Sequence, residues 1–341
     1  MTDAETTDQP ATATPGPTPH IPTLMTVHAH PDDETIGTGG TMARAVAEGR
    51  RVILVTCTRG EMGEIVVPEM DTPDNHRRLG EIRAGELERA MDALGVTEWE
   101  NLGYHDSDMM GRAGNVDPRS FWQADLDEAT GRLVWLVRRY RPHVMTVYNE
   151  FGGYGHPDHI RSHEVGVAAY ERAGDPSCYP EQVAPEFGGR GPSVEQGGLA
   201  PWAPRKLYEQ AIPSSVTEQM AEQLEARGLP NPWALPEDAT AEQRAEFEER
   251  MKQMLFPDEA ITTRVDISDL LDAKWRALNR HVTQMSKDFP FIAIGLDGWR
   301  EFGGAETFIL RDTRNVEVRL PETDLFAGLD ARAPQSGSTV S

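Results

Sequence analysis

Apolar and polar positions alternate along the chain in a way that predicts strands and helices in turn. Leu24–His30 (LMTVHAH) is a short β-rich apolar run that breaks at Pro31, and Arg51–Thr58 (RVILVTCT) is the continuous apolar run of a strand buried on both faces. Between them Thr41–Glu48 carries helical spacing and stops at Gly49. Leu79–Leu94 places Ile82, Leu87, Met91 and Leu94 near one helix face, with Gly95 as the stop. Leu126–Tyr140 repeats that pattern before Pro142, His143–Tyr148 (HVMTVY) reads as another buried strand, and Ile160–Ala173 as a helix. This order predicts a Rossmann-like, doubly wound α/β layer with a mostly parallel sheet through about residue 175.

Beyond that layer the pattern changes. Residues 176–204 are rich in Pro and Gly and read as a loop insertion. Thr240–Leu255 opens with a capping box of Thr240 and Gln243, and Asp266 to about Ser286 reads as a second helix, so the expectation is a fold with added C-terminal helices. The organisation expected is a disordered tail over 1–22, a catalytic core over 23–175, the insertion over 176–204, a C-terminal part of the same unit over 205–330, and a frayed tail over 331–341.

Composition narrows the partners. With 33 Lys plus Arg against 56 Asp plus Glu, the formal charge is -23, and such a surface repels phosphate backbones and anionic lipid heads. Nucleic acid and membrane are therefore excluded as partners, and no window offers the ~20 apolar residues of a membrane span. Two cysteines, Cys57 and Cys178, build neither a disulfide framework nor a Cys-rich zinc module, which fits a reducing cytoplasm. A small-molecule substrate is expected; a homo-oligomer is compatible with the chain.

The chemistry lies in two clusters. His30-Pro-Asp-Asp-Glu34 follows the first predicted strand, where ligands bind in an open parallel sheet. His30 and Asp33 can supply two metal ligands from one turn, leaving Asp32 to take a proton from a metal-bound water. A second cluster, Gly152-Gly-Tyr-Gly-His-Pro-Asp-His159, follows the strand His143–Tyr148. One of His156 and His159 can bind metal while the other faces substrate, and Asp158 can fix an imidazole tautomer. The glycines after Glu34 match no phosphate-binding pattern and suit close packing of helix on strand. Two histidines and a carboxylate also form the facial triad of non-haem Fe(II) oxygenases, so that chemistry is one alternative; a non-catalytic metal- or sugar-binding protein is another.

AHPDDE followed by HPDH resembles the LmbE/PIG-L family of metal-dependent N-acetylglucosamine deacetylases. Thr58–Glu64, Arg83–Leu87, Asp106-Ser107 and Arg141–His143 extend the resemblance, with weaker matches in RHVTQ (280–284) and RLPETDLFAGL (319–329). The resemblance implies an amide hydrolase that releases acetate and a free amine from an N-acetylglucosaminyl substrate such as N-acetylglucosaminyl-inositol. The mycothiol S-conjugate amidases of the family are the alternative, favoured by the last match and weakened by Gly37, where they carry Lys. The family's roles fall on His30, Asp33 and His159 as metal ligands, for Zn2+ with Fe2+ or another divalent ion as options, and on Asp32 as base. His156, oriented by Asp158, would stabilise the oxyanion or protonate the amine. Tyr154 would approach the tetrahedral intermediate, and Arg83 and Asp106 would bind the sugar or its substituent. Asp108 departs from the family, which has Gly there. The identity of the general acid is left open.

Overall fold

Strands form where the apolar runs predict them, and they assemble into one seven-stranded sheet in the order β3-β2-β1-β4-β5-β9-β8. A computed structural model describes residues 21–189, 197–231, 234–236 and 238–329. The parallel strands are β1 (Thr23–His28), β2 (Arg51–Thr56), β3 (Glu98–Asn101), β4 (Val144–Val147) and β5 (Lys206–Gln210). The order 3-2-1-4-5 is that of a doubly wound layer, with its reversal between β1 and β4. β1 pairs with β2 from Thr23↔Arg51 to His28↔Thr56, and with β4 from Leu24↔Val144. Two short strands, β6 (Ile212–Pro213) and β7 (Leu255–Phe256), pair apart from the sheet, while β8 (Thr263–Asp266) and β9 (Ala305–Thr313) extend it antiparallel.

The helices are α1 (Asp33–Gly37), α2 (Gly39–Ala47), α3 (Pro73–Arg77), α4 (Leu79–Leu94), α5 (Leu126–Tyr140), α6 (Gly152–Gly155) and α7 (Pro157–Arg172). After the insertion come α8 (Ser214–Ala226), α9 (Ala241–Met254), α10 (Leu271–Leu278), α11 (Pro290–Ala293) and α12 (Gly295–Phe302). Because side chains alternate along a strand, β1 feeds both faces. Leu24 packs with α2, α4, α10 and α12, through Met42, Leu87, Ala277 and Trp299, whereas Met25 and Val27 pack with α5 and α7, through Val134, Val137 and Val165.

Three expectations change. The helix read over Asp266–Ser286 ends at Leu278, because the backbone N–H of Thr283 leaves the helical ladder to meet the buried carboxylate of Glu86 at 2.8 Å. The C-terminal part supplies sheet strands as well as helices. The insertion is anchored where it is described: Val183 bridges Leu199, and the buried guanidinium of Arg138 donates to the carbonyls of Asp175 and Cys178 at 2.8 and 2.7 Å. Residues 190–196, and the tails read over 1–22 and 331–341 except for 21 and 22, lie outside the described residues.

Candidate active site

β1 and β4 end side by side at the reversal of strand order, and each continues into one of the two clusters. The first cluster is a tight turn. Asp33 opens α1 and its Oδ2 accepts the backbone N–H of His30 at 2.9 Å. Asp32, between them, has φ 107° and ψ -37°, a strained backbone for a residue with a Cβ. Its N–H donates to Glu34 Oε2 at 2.7 Å, and Glu34 Oε1 in turn meets His281 Nε2 at 2.8 Å, with both side chains fully buried. Arg83 grips the same turn: it donates to the Pro31 and Gly60 carbonyls, and its guanidinium lies 3.2 Å from Asp32 Oδ1.

The second cluster starts α7, whose N-cap is His156. Gly152 has φ 66°, and a Cβ there would lie 2.7 Å from both His159 Cβ and the Ile160 nitrogen, so only glycine lets the turn close on the helix. That closure brings the Gly152 carbonyl to 3.1 Å from His159 Nδ1. The hydrogen bond assigns the proton to Nδ1 and leaves the Nε2 lone pair free. His30 is set in the opposite sense, since its Nε2 lies 3.1 Å from Asp158 Oδ2 and its Nδ1 is turned toward Asp33.

These two nitrogens and one carboxylate oxygen converge. His30 Nδ1 lies 3.2 Å from Asp33 Oδ2, His159 Nε2 lies 3.3 Å from the same oxygen, and the nitrogens are 3.3 Å apart. Donors about 2.0–2.1 Å from a tetrahedral ion stand about 3.4 Å from one another, so these three atoms have the spacing of one face of such a site. The residues present can therefore hold a metal ion, and the neighbouring carboxylates Asp106 and Asp158 extend the cluster around His30 and His156. Burial alone would raise Asp33, but His159 and His30 beside it hold its carboxyl well below the usual range. Burial likewise opposes charge on His30, yet Asp106, Asp158 and Asp33 draw it well above the ordinary value.

Asp158 corrects one expectation. Its carboxylate is turned to His30, not to the His156 ring, and it is pinned by the Ser107 N–H at 2.9 Å and by the Ser107 hydroxyl. His156 is oriented instead by the backbone N–H of Asp158, which donates to its Nδ1 at 3.1 Å. The remaining proton of His156 then sits on Nε2. Burial, with His30 and His159 alongside, lowers His156 to about 2, so it is a neutral N–H donor and not an imidazolium. Burial raises Asp32 to about 6, against the pull of Arg83.

The other residues singled out by sequence also line the cavity of about 740 Å3 above this cluster. Tyr154 is half-exposed, with its ring 4.8 Å from that of His159. Arg83 and Asp106 are buried. Asp106 accepts the Met62 and Asp108 N–H groups at 3.1 and 2.8 Å, so it shapes the loop as well as the wall. Asp108 has φ 60°, the left-handed backbone that a glycine would supply there. His28 is a core histidine, 2.8 Å from Thr38 Oγ1 and lowered by burial to about 4.

Two participants escaped sequence reasoning. Tyr148, at the end of β4, stacks on His159 with centroids 4.3 Å apart, and its hydroxyl accepts the Ala29 N–H at 3.0 Å. His281 lies in the RHVTQ match, which drew attention to the stretch without a role. Replacing His281 with Leu leaves Glu34 a buried, unpaired carboxylate, which costs about 3–5 kcal/mol. Thermal unfolding checks this, and His281→Gln, which can still donate to Glu34, should recover most of the loss.

The PIG-L family, described as GlcNAc-PI de-N-acetylase, matches residues 25–170. The chain is 42% identical over 312 residues to a 1D-myo-inositol 2-acetamido-2-deoxy-alpha-D-glucopyranoside deacetylase of Geodermatophilus obscurus, an alignment covering 90% of this chain and 97% of the relative. The chain belongs to the PIG-L family. As a PIG-L deacetylase it is a hydrolase of amide bonds. A second relative of the same description, from Frankia alni, is 41% identical over 89% of this chain and 99% of its own. Among solved structures, the N,N'-diacetylchitobiose deacetylase of Pyrococcus horikoshii shares the fold with a TM-score of 0.53 and 20% identity, covering 84% of this chain and 83% of that one. No helix among the described residues is long and apolar enough to cross a membrane.

Proposed function

We propose that this PIG-L deacetylase removes the acetyl group from an N-acetylglucosaminyl-inositol substrate, with a divalent ion, taken as Zn2+, held by His30, Asp33 and His159. The observation that carries this reading is the convergence of His30 Nδ1, Asp33 Oδ2 and His159 Nε2 within 3.3 Å of one another, with the Asp32 carboxylate left outside the set. When bound, the ion would acidify a water and polarise the amide carbonyl. Asp32 takes the proton of the attacking water. Its raised pKa suits it to return that proton to the leaving amine, so one carboxylate serves as base and then as acid. Neutral His156 donates its Nε2–H to the oxyanion, and Tyr154 closes over the same side. Arg83 keeps Asp32 aimed by holding the turn.

The C-terminal resemblance to the amidases has a structural cause. Within that segment Glu322 is buried and meets Lys206 Nζ at 2.7 Å and the Tyr208 hydroxyl at 2.6 Å. Lys206 starts β5, which runs parallel to β4, so it lies at the end of the strands away from the site. The segment therefore does not argue for an amidase.

Release of primary amine from N-acetylglucosaminyl-inositol, N-acetylglucosamine and a mycothiol S-conjugate tests the reading, with the inositol glycoside expected to be fastest. No amine from any N-acetyl sugar overturns it. His156→Gln should lower kcat about 10²-fold, with KM within a few-fold, because a well-placed oxyanion donor is worth roughly that much; steady-state kinetics checks it.

A further inference from the structure

The two ends of the cavity differ in chemistry. On the side of β2 and β3 its wall carries Arg83, Asp106, Asp108 and Arg112, groups suited to hydroxyls. On the side of β5 and β9 it carries Ile212, Val216, Met220, Met254, Phe291 and Phe302, and the charges there, Lys274 and Glu306, neutralise each other in an ion pair at 2.6 Å. Trp299 joins the last two, with ring centroids 5.6 Å from Phe291 and 5.5 Å from Phe302, so three rings make a continuous apolar wall. The three convergent donors lie between these ends, because β1 and β4 stand between β2 and β5 in the sheet. A polyhydroxylated sugar leaves such a wall without a partner, and a cavity lined this way favours an apolar group.

We propose that the apolar end is an acyl-chain site, and that the enzyme hydrolyses N-acyl glucosaminides whose acyl chain is apolar and longer than acetyl. The proposal rests on the amide-hydrolase reading above. An amide's nitrogen and its acyl chain leave the trigonal carbonyl carbon about 120° apart, so they head to different parts of the cavity. With the sugar hydroxyls at the polar end and the carbonyl at His30, Asp33 and His159, the chain runs past Gly37 toward α8, α9 and α12. Gln210 stands at the junction, close enough that a Cβ on Gly37 would strike its carboxamide. Gln210 lines the cavity, and its Nε2 is buried without a hydrogen-bond partner among the described residues. Water adds its oxygen to the acyl carbon, the C–N bond breaks, and the two protons of water end on the amine, so the products are the carboxylate and the protonated amine; no other reactant is needed.

Amine release from N-acetyl-, N-butyryl- and N-hexanoylglucosaminyl-inositol tests this, alongside octyl N-acetylglucosaminide. We expect kcat/KM for the N-hexanoyl compound to equal or exceed that for the N-acetyl compound, by up to about fourfold for each methylene buried. Val216→Trp and Ile212→Trp, which fill the apolar end, should shift the hexanoyl-to-acetyl ratio toward acetyl at least tenfold, with amine release from the N-acetyl compound reporting that each variant is folded. A ratio below one in the wild type, or one that neither filled variant moves, overturns the acyl site. Preference for the octyl glycoside with poor N-hexanoyl turnover also overturns it, assigning the wall to the aglycone. No amine from any compound instead overturns the hydrolase reading beneath it.

Discussion

Removing divalent metal from the purified enzyme abolishes amine release and lowers the melting temperature by several degrees, and one equivalent of Zn2+ restores both. The effect on activity follows from the donor set: His30 Nδ1, Asp33 Oδ2 and His159 Nε2 converge at 3.2–3.3 Å, the spacing at which they would hold the ion that activates water. The effect on stability follows from binding to the folded state alone, worth about 4 kcal/mol when free ion exceeds Kd a thousandfold. Metal content by atomic absorption, amine release and thermal unfolding are measured on the same samples. Full activity in a metal-free sample removes the ion from the reaction, while restoration by Fe2+ but not by Zn2+ reassigns it.

Much of the layer and both halves of the site are legible in the sequence, for a local reason. α4 and α5 begin and end where the apolar spacing and the stops at Gly95 and Pro142 place them, because helix periodicity and capping act within a few residues. β3 is different: Glu98–Asn101 (EWEN) is a half-exposed edge strand without an apolar run, recognisable only once β2 is beside it. β5 hides in a similar way, because it starts on Lys206, a charge whose burial depends on Glu322 far along the chain. Its neighbour β9 pairs antiparallel from the far end of the chain, a contact no local pattern encodes.

The site divides along the same line. His30, Asp32 and Asp33 share one turn, and His156 and His159 one helix start, so each group is visible as a motif. Sequence neighbourhood misleads at Asp158, two residues from His156: the first turn of α7 aims its carboxylate across the sheet reversal to His30. The resemblance singles out Arg83 as a sugar-binding residue, and only the fold shows it buried against the Pro31 carbonyl. The Glu34–His281 pair joins a motif to a residue from the far end of the chain, where no spacing rule reaches.

Asp32→Asn should lower kcat by about 10³-fold, within the range expected for a positioned acid–base group, while KM stays within a few-fold and bound metal stays at the wild-type level. The substitution preserves the shape of the side chain, and the strained backbone at φ 107° is held by contacts that survive it: the Asp32 N–H to Glu34 and the Arg83 guanidinium to the Pro31 carbonyl. Asparagine also tolerates positive φ better than most residues, so the turn keeps its form. What is lost is the one carboxylate at the cavity face of the turn that stands outside the three convergent donors, and with it the group that takes the proton of water and returns it to the amine. Asp33→Asn separates the roles, because it weakens a proposed ligand and should lower metal content together with kcat. Atomic absorption and steady-state kinetics on the two variants decide between the assignments. An Asp32→Asn enzyme with wild-type kcat removes Asp32 as the base, and one that loses its metal places Asp32 among the ligands instead.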